Sequence, residues 1–400
     1  SITIDWPISK RRYYATEVPL WYCEKCGWVC VPQKGRYHQP WRERAPVDKC
    51  PKCGSTNFRG ETRVFDTWFD SSISPLYILQ YSRNNSFFEK AMPCTLRPQG
   101  KEIVRTWLYY TLLKCYLLTG RPIFKEVFIN YHIVDSEGEK MSKSKGNVID
   151  PQDVIKMYGA EPLRLWAAVE GNLDKQDFRC SYSRIAGAAK TLVKLWNVAK
   201  FISMFPKVEK DISEVRLMDT DKWIIHEVNG LVKQASERYA RYDFHNPVIG
   251  AKHFIWETFA SHYLELVKNR AYNTAGSFTK EEQEAAIFTL HYCLERILRI
   301  LAPVIPIITA KIYKDIYDKD VHFMQFPCIE TEFSPQFTTQ ELEELNSMIW
   351  KRKRESGLSL RAELKELQIP EKFKTIKKDI ANAHNVKLLN YASEVRIVLA

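Results

Sequence analysis

Lys140-Met141-Ser142-Lys143-Ser144-Lys145-Gly146-Asn147 is the stretch that orders the rest of the chain. Three lysines stand within six residues, two serine hydroxyls add hydrogen-bond donors, and Gly146 loosens the backbone. Such a loop can bring cations onto a polyphosphate and stabilise charge as it develops. A Walker A loop is excluded, because the Gly-x4-Gly-Lys-Ser/Thr spacing is absent. Composition alone leaves a second reading open, a solvated Lys-Ser loop.

Outward from the loop, 59 Lys and Arg against 48 Asp and Glu give a net charge of +11 over 400 residues. An excess of that size suits a polyanionic partner, nucleic acid first and an acidic membrane second, or simply a soluble basic enzyme. A chain that is 45% hydrophobic and 27% charged is neither disordered nor collagen-like. The most apolar run, 297–309, is broken by Arg299, Pro303 and Pro306, so no membrane span is expected. Ten cysteines without a secretory leader suit a reducing cytoplasm. With no initiator Met at residue 1, a portion of something longer is expected.

Cys23-Glu24-Lys25-Cys26-Gly27 and Cys50-Pro51-Lys52-Cys53-Gly54 are two Cys-x2-Cys-Gly knuckles. Each offers two thiolates from one tight turn, and the trailing Gly accepts the positive φ such a turn needs. Four sulfurs make a closed structural zinc site with no open position for chemistry. Cys30 is the odd thiol and is read as a non-ligand. Residues 1–60 carry 11 Lys and Arg against 5 Asp and Glu, so this ribbon either touches phosphate or presents a solvated basic face.

Residues 62–150 read as α/β, with a strand at 63–69, a helix at 101–118 and a strand at 125–134. The helix is apolar around most of its circumference, which predicts burial between layers. Residues 151–320 read as helical. Four long runs at 184–205, 221–240, 247–271 and 280–301, punctuated by Pro206, Pro247 and Pro303, predict a bundle. A charged helix at 341–354 and a last strand at 395–399 predict a small α+β end.

Read as a whole motif, residues 140–144 are identical to the KMSKS signature of class I aminoacyl-tRNA synthetases. The flanks agree: Gly146 to Pro151, and Tyr158-Gly159-Ala160-Glu161-Pro162-Leu163-Arg164, resemble the family's path from this loop into the stem-contact fold. Asp5-Trp6-Pro7-Ile8-Ser9-Lys10-Arg11 resembles the strand returning from the editing insertion. Asp66 to Ser72 and Arg97 to Trp107 are most similar to archaeal-type valyl enzymes; isoleucyl enzymes usually carry Val and Gly where Thr67 and Ser72 stand. The other class I signature, His-x-Gly-His, begins at none of the nine histidines. The resemblance therefore implies the portion of a synthetase downstream of its editing domain. Tyr131 stands where relatives often have Gly, and Ala15 replaces another frequent Gly.

The resemblance implies an α/β Rossmann-like half-domain (1–20 and 57–150) with an inserted zinc ribbon (21–56). A stem-contact fold (151–186), an all-α anticodon-binding bundle (187–330) and a small C-terminal α+β piece (331–400) follow. It implies Lys140, Ser142, Lys143 and Ser144 as catalytic residues, with the two lysines on the triphosphate. Trp68, Ile103, Trp107, Asp66 and Glu102 fall to the amino-acid pocket, and Gln99, Gly100, Tyr131, His132 and Met141 to ATP. Zinc would be structural, held by Cys23, Cys26, Cys50 and Cys53. The complete enzyme would use ATP with Mg2+, valine and tRNA, and would be a cytoplasmic monomer whose N-terminal half lies in the same or a partner chain. Arg238, Arg241, Lys268 and Arg270, with His245 and Asn269, are candidate tRNA contacts or ordinary solvent-facing helix charges. Two other readings stay open, a non-catalytic zinc-ribbon tRNA-binding protein derived from a synthetase, and a portion of an isoleucyl enzyme.

Overall fold

The computed structural model describes residues 6–11, 15–172 and 177–399, in two compact units, 1–132 and 133–400. Asp5 of the 5–11 segment lies outside the described residues.

In the first unit, the strands Trp21–Cys23, Val29–Cys30 and Phe58–Gly60 form an antiparallel sheet with Trp21–Cys23 at its centre. Trp21 is fully buried and donates from Nε1 to the Glu43 carbonyl at 3.0 Å, tying the long turn-rich segment back to the sheet. Gly60 is required by close approach: a Cβ there would lie 1.9 Å from the Pro40 carbonyl oxygen.

Beyond the ribbon, Ser9–Lys10 pairs antiparallel with Val64–Phe65. The strand expected at 63–69 therefore stops early. Asp66 ends it by accepting the Trp68 amide at 2.8 Å, which starts the helix Thr67–Ser71. Cys94–Gly100 and Phe124–Asn130 form a parallel pair, with Gln99 opposite Ile129 and Gly100 opposite Asn130. Between them runs a composite helix: a 3-10 turn Lys101–Ile103, a π segment Val104–Leu108 and the α-helix Tyr109–Thr119. Burial on all sides does not hold for it. Thr111 and Cys115 are buried, Cys115 in a core with Phe88 and Ile123, but Leu112, Leu113, Tyr116, Leu117 and Leu118 face outward, Leu117 at 75% exposure. Ile73, Tyr77 and Ile78 are exposed as well. A two-stranded parallel sheet with such a face lacks the layers that normally cover parallel strands.

In the second unit, Ile133–Val134 pairs in parallel with Phe178–Arg179. The helices Pro151–Tyr158 and Ala160–Glu170 lead into Tyr182–Ile202, Asp219–Tyr239 and Lys280–Leu301, whose buried faces share one core. The helical run expected at 247–271 is real but not uniform. It comprises His245–His253, a π segment Phe254–Tyr263 and Leu264–Tyr272, with Ser261 Oγ donating to the Trp256 carbonyl at 2.7 Å. A further helix, Pro306–Tyr317, follows Pro303. Pro306 occupies its first turn, where a missing N–H costs nothing. Glu161 covers two of its free amides, accepting Ile307 N at 3.1 Å and Ile308 N at 2.9 Å, and Arg164 holds the Val304 carbonyl at 2.7 Å. The short helices before the bundle are thereby fixed to it.

The chain ends with Thr339–Glu355, started by a Thr338/Glu341 capping box, and a three-stranded sheet. In that sheet Leu364–Ile369 lies between parallel Val386–Tyr391 and antiparallel Arg396–Leu399. The helix Lys377–His384 returns to the bundle and brings Asp379 and His384 into its interior.

His384 sits in a buried polar network. Its Nε2 donates to Asn346 Oδ1 at 2.8 Å, Asn346 Nδ2 donates to His262 Nδ1 at 3.1 Å, and Lys353 Nζ donates to the His384 carbonyl at 2.8 Å. Burial, reinforced by the nearby Lys353 charge, pushes its pKa down to about 3. The unfolded chain binds a proton near pH ~6.5 that the folded chain refuses, so stability falls as pH drops from there toward 3, by at most ~1.4 kcal/mol per pH unit. The urea midpoint of the wild-type chain is expected to fall more steeply between pH 6.5 and 4.5 than that of His384→Gln. Equal slopes would remove His384 from the acid response.

Candidate functional site

The four knuckle cysteines converge. All four Sγ atoms lie within 4.8 Å of one another, with Cys23 to Cys53 and Cys26 to Cys50 each at 3.6 Å. Tetrahedral zinc with Zn–S bonds of ~2.3 Å needs sulfurs about 3.8 Å apart, so the cradle fits that ion. In each knuckle the Gly amide returns to the first Cys carbonyl at 2.8 Å, with Gly27 at φ 71° and Gly54 at φ 73°. Burial opposes ionising Cys23, but the amides of Cys26 and Lys25 and the adjacent thiols bring it down to about 6. Cys26 moves the other way, to about 12: the Trp28 amide favours its thiolate, while burial and the sulfurs of Cys53, Cys50 and Cys23 resist a second charge. A divalent cation among them removes that resistance. Cys30 is buried in the neighbouring strand and stands outside the group. Cys50→Ser is expected to reduce bound zinc from about one per chain to near zero and open the ribbon to protease. Full retained zinc would refute the four-sulfur assignment.

Elsewhere in the first unit, Gln99 and Gly100 end one parallel strand with Glu102 and Ile103 just beyond, and Tyr131 and His132 follow the other, at the carboxyl ends where open α/β sheets place ligands. Gln99 is buried and donates to the Gly100 carbonyl at 3.0 Å, while its Oε1 finds no partner among the described residues. Glu102 Oε2 meets His132 Nε2 at 2.8 Å. Lys101 lies 5.1 Å from the centre of the Tyr131 ring, which is half-buried. Ile103, also half-buried, closes the 3-10 turn. Asp66 pairs with Lys10 at 3.1 Å. Trp68 is 38% exposed, its ring 6.1 Å from Tyr110.

Trp107 is held on two sides. Its Nε1 donates to Ser71 Oγ at 2.9 Å, and the Arg97 guanidinium stacks on its ring at 3.4 Å. Sequence reading passed over Arg97 and Ser71, because neither residue type signals a role until the strand and the short helix bring them to the indole. Burial draws the Arg97 pKa down.

The lysine loop opens the second unit. Asp135 organises it: Oδ1 accepts the Glu137 and Glu139 amides at 3.1 and 2.7 Å, and Oδ2 accepts Asn147 Nδ2 at 2.7 Å. The Asn147 amide also holds the Asp135 carboxyl below its usual pKa. Asn147 Oδ1 receives the Ser142 amide at 2.9 Å, and Ser142 Oγ caps a 3-10 turn over Lys143–Lys145 and meets Ser144 Oγ at 3.2 Å. The Met141 sulfur accepts the Ile149 amide at 3.4 Å. Lys145 pairs with Glu139 at 2.9 Å. Lys140 and Lys143 are exposed and have no carboxylate partner among the described residues. Two cations are thus presented on a tethered loop and a third is neutralised.

The proposed tRNA contacts fare unequally. Arg241 is exposed, and Arg238 lies 3.6 Å from Asp243. Half-buried His245 starts the helix His245–His253, and Asn269 Nδ2 is held by the Asn382 carbonyl at 2.9 Å. Lys268 pairs with Glu265 and borders a cleft of about 900 Å³, also lined by Lys194, Arg361, Tyr272, Asn273 and Asn385. Arg270 is corrected. It is fully buried, donating to both Asp221 oxygens at 2.8 and 2.7 Å and lying 3.1 Å from Asp379 Oδ1, so it cannot reach a nucleic acid. Tyr263 and Thr220 complete this cluster through hydrogen bonds to Asp221 and Asp379 at 2.8 and 2.6 Å. No helix among the described residues is long and apolar enough to cross a membrane.

Residues 3–179 match the family described as tRNA synthetases class I (I, L, M and V), and residues 221–369 match the anticodon-binding domain of tRNA ligase. The valine--tRNA ligase of Aeropyrum pernix is 42% identical over 405 residues, covering 98% of this chain and 48% of that protein. The Nanoarchaeum equitans valine--tRNA ligase is 40% identical, covering 97% of this chain and 50% of that protein. The chain thus spans about half the length of the curated relatives it matches. Among solved structures, a LeuRS-tRNA-LeuAMS ternary complex of Agrobacterium radiobacter K84 shares the fold over 81% of this chain and 43% of its own, with TM-score 0.59 at 20% identity.

Proposed function

Because the chain belongs to the class I aminoacyl-tRNA synthetases and aligns over nearly its whole length with their valine-specific archaeal members, we propose that it is the downstream half of a valyl-tRNA synthetase. The complete enzyme activates valine with ATP and transfers it to tRNA(Val). The observation that carries this reading is the loop at 140–147, where Lys140 and Lys143 stand without carboxylate partners among the described residues. A protein that only bound tRNA would have little use for them.

In this reading the valine carboxylate attacks the ATP α-phosphate in line, giving valyl-adenylate and pyrophosphate. The chain contributes position and charge rather than covalent chemistry. Lys140 and Lys143 meet the triphosphate as pyrophosphate leaves, and the Asp135–Asn147 pair keeps their loop in shape. Trp68, Ile103 and Trp107 wall the amino-acid pocket, with Asp66 and Glu102 near its polar groups. Gln99, Gly100, Tyr131, His132 and Met141 serve ATP, which the complete enzyme uses with Mg2+. The tRNA 3′ adenosine then accepts the valyl group, while the bundle, through Arg238, Arg241 and Lys268, holds the anticodon stem by charge.

The four-thiolate zinc site only folds the ribbon. In finer terms, the first unit with the lysine loop is half of a Rossmann-like domain, residues 151–186 are the stem-contact fold, and 331–400 is an accessory α+β piece. The open apolar face around Leu117 receives the N-terminal half of the enzyme, which acts as a cytoplasmic monomer. Valine-dependent ATP–pyrophosphate exchange by the complete enzyme is the test. Exchange supported better by isoleucine would overturn the valine assignment, and no exchange with any amino acid would overturn the enzyme.

A further inference from the structure

Beside the ribbon sheet the first unit has a cleft of about 680 Å³, lined by Arg11, Tyr22, Trp41, Arg59, Glu61 and Arg63 among others. Arg11 and Arg59 are exposed and have no carboxylate partner among the described residues. Arg59 stands 6.0 Å from the centre of the Tyr22 ring, whose hydroxyl donates to Glu61 at 2.9 Å. Glu61 also pairs with Arg63 and accepts the amides of Thr62 and Arg63 at 2.8 and 3.0 Å. The one carboxylate is therefore engaged, and the cleft keeps two open guanidinium groups. Trp41 is 36% exposed at its wall. Its place is built: only at Gly60 can the strand come so close to Pro40 and the Trp41 amide, which a Cβ would meet at 1.9 and 2.9 Å.

We propose that this cleft binds single-stranded RNA, the unpaired 3′ nucleotides of the tRNA on their way to the aminoacyl pocket. The proposal rests on the tRNA-ligase reading above. Guanidinium forks suit phosphate oxygens, and an exposed indole offers a stacking face to an unpaired base that a duplex would not present. A volume of this size accepts one or two nucleotides rather than a helix. The position also fits. Arg63 precedes Asp66 by three residues, and Arg11 follows Lys10, which pairs with Asp66 at 3.1 Å.

The test is fluorescence anisotropy of the full 400-residue chain with two tRNA transcripts, one intact and one lacking its unpaired 3′ nucleotides, over a range of salt. The double variant Arg11→Gln/Arg59→Gln should weaken binding of the intact transcript about tenfold and flatten its logarithmic salt slope by about 1.4, with little effect on the shortened one. Trp41→Leu should weaken the intact transcript about fivefold or more at an unchanged salt slope. Zinc content equal to wild type reports that the ribbon is folded in each variant. Equal losses on both transcripts would overturn the proposal by assigning the arginines to duplex RNA, and no loss on either would overturn it outright. Wild-type affinity for the shortened transcript is the separate readout of tRNA binding elsewhere on the chain, and its persistence leaves the ligase reading standing whatever the cleft does.

Discussion

Lys143→Ala in the complete enzyme should slow adenylate formation by about 100- to 1,000-fold, the range seen when one preorganised donor to developing charge is removed. Affinity for tRNA should stay within about twofold, since one exposed lysine is a small share of a backbone contact set. The structure supplies an internal control in the same loop. Lys145 is already paired with Glu139 at 2.9 Å, whereas Lys143 has no carboxylate partner among the described residues. Lys145→Ala should therefore cost far less, although it removes the same charge two residues away. Single-turnover measurement of adenylate formation separates the two variants. Equal losses would mean that the loop acts through net charge alone, and no loss for Lys143→Ala would take the loop out of the chemistry.

Arg270→Ala should destabilise the second unit by about 3–5 kcal/mol, the cost of leaving buried carboxylates without their cation. Arg270 is fully buried between Asp221 and Asp379. Burial would lower the guanidinium pKa, but the two carboxylates raise it above its ordinary value, so it stays charged. Burial also pushes Asp379 up to about 6, even with Arg270 beside it. Removing the cation strands both acids. Urea unfolding followed by tryptophan fluorescence reads the loss, and a change below about 1 kcal/mol would show that water or rearrangement satisfies the carboxylates. Replacing Arg270, Asp221 and Asp379 together by apolar residues of similar size should recover most of the stability.

Sequence alone reached the features whose signal is local. Two Cys-x2-Cys-Gly knuckles fix four sulfurs, and the helix Lys280–Leu301 coincides with its periodic run because Thr279 and Glu282 form a capping box at its start. What was hidden depends on distant partners. Asp66 reads as part of a strand until its side chain is seen capping the next helix. Pro306 reads as a breaker, yet it opens a helix whose free amides Glu161 satisfies from 146 residues away. Arg270 reads as a surface cation on an amphipathic helix, because nothing nearby announces that Asp379, more than a hundred residues on, will meet it. In the second unit the lysine motif was legible but its Asp135–Asn147 latch was not, and in the first unit the contacts of Trp107 with Arg97 and Ser71 required the fold.

The buried Asp221–Arg270–Asp379 cluster also bears on where this polypeptide can be divided. The anticodon-binding match ends at residue 369, ten residues before Asp379. A fragment cut at that limit would look complete by alignment, yet it would lose one of the two carboxylates that hold Arg270 and the helix Lys377–His384 that covers it. The unit of inheritance read from sequence families and the unit that unfolds together need not share a border, and here a single guanidinium sets the difference.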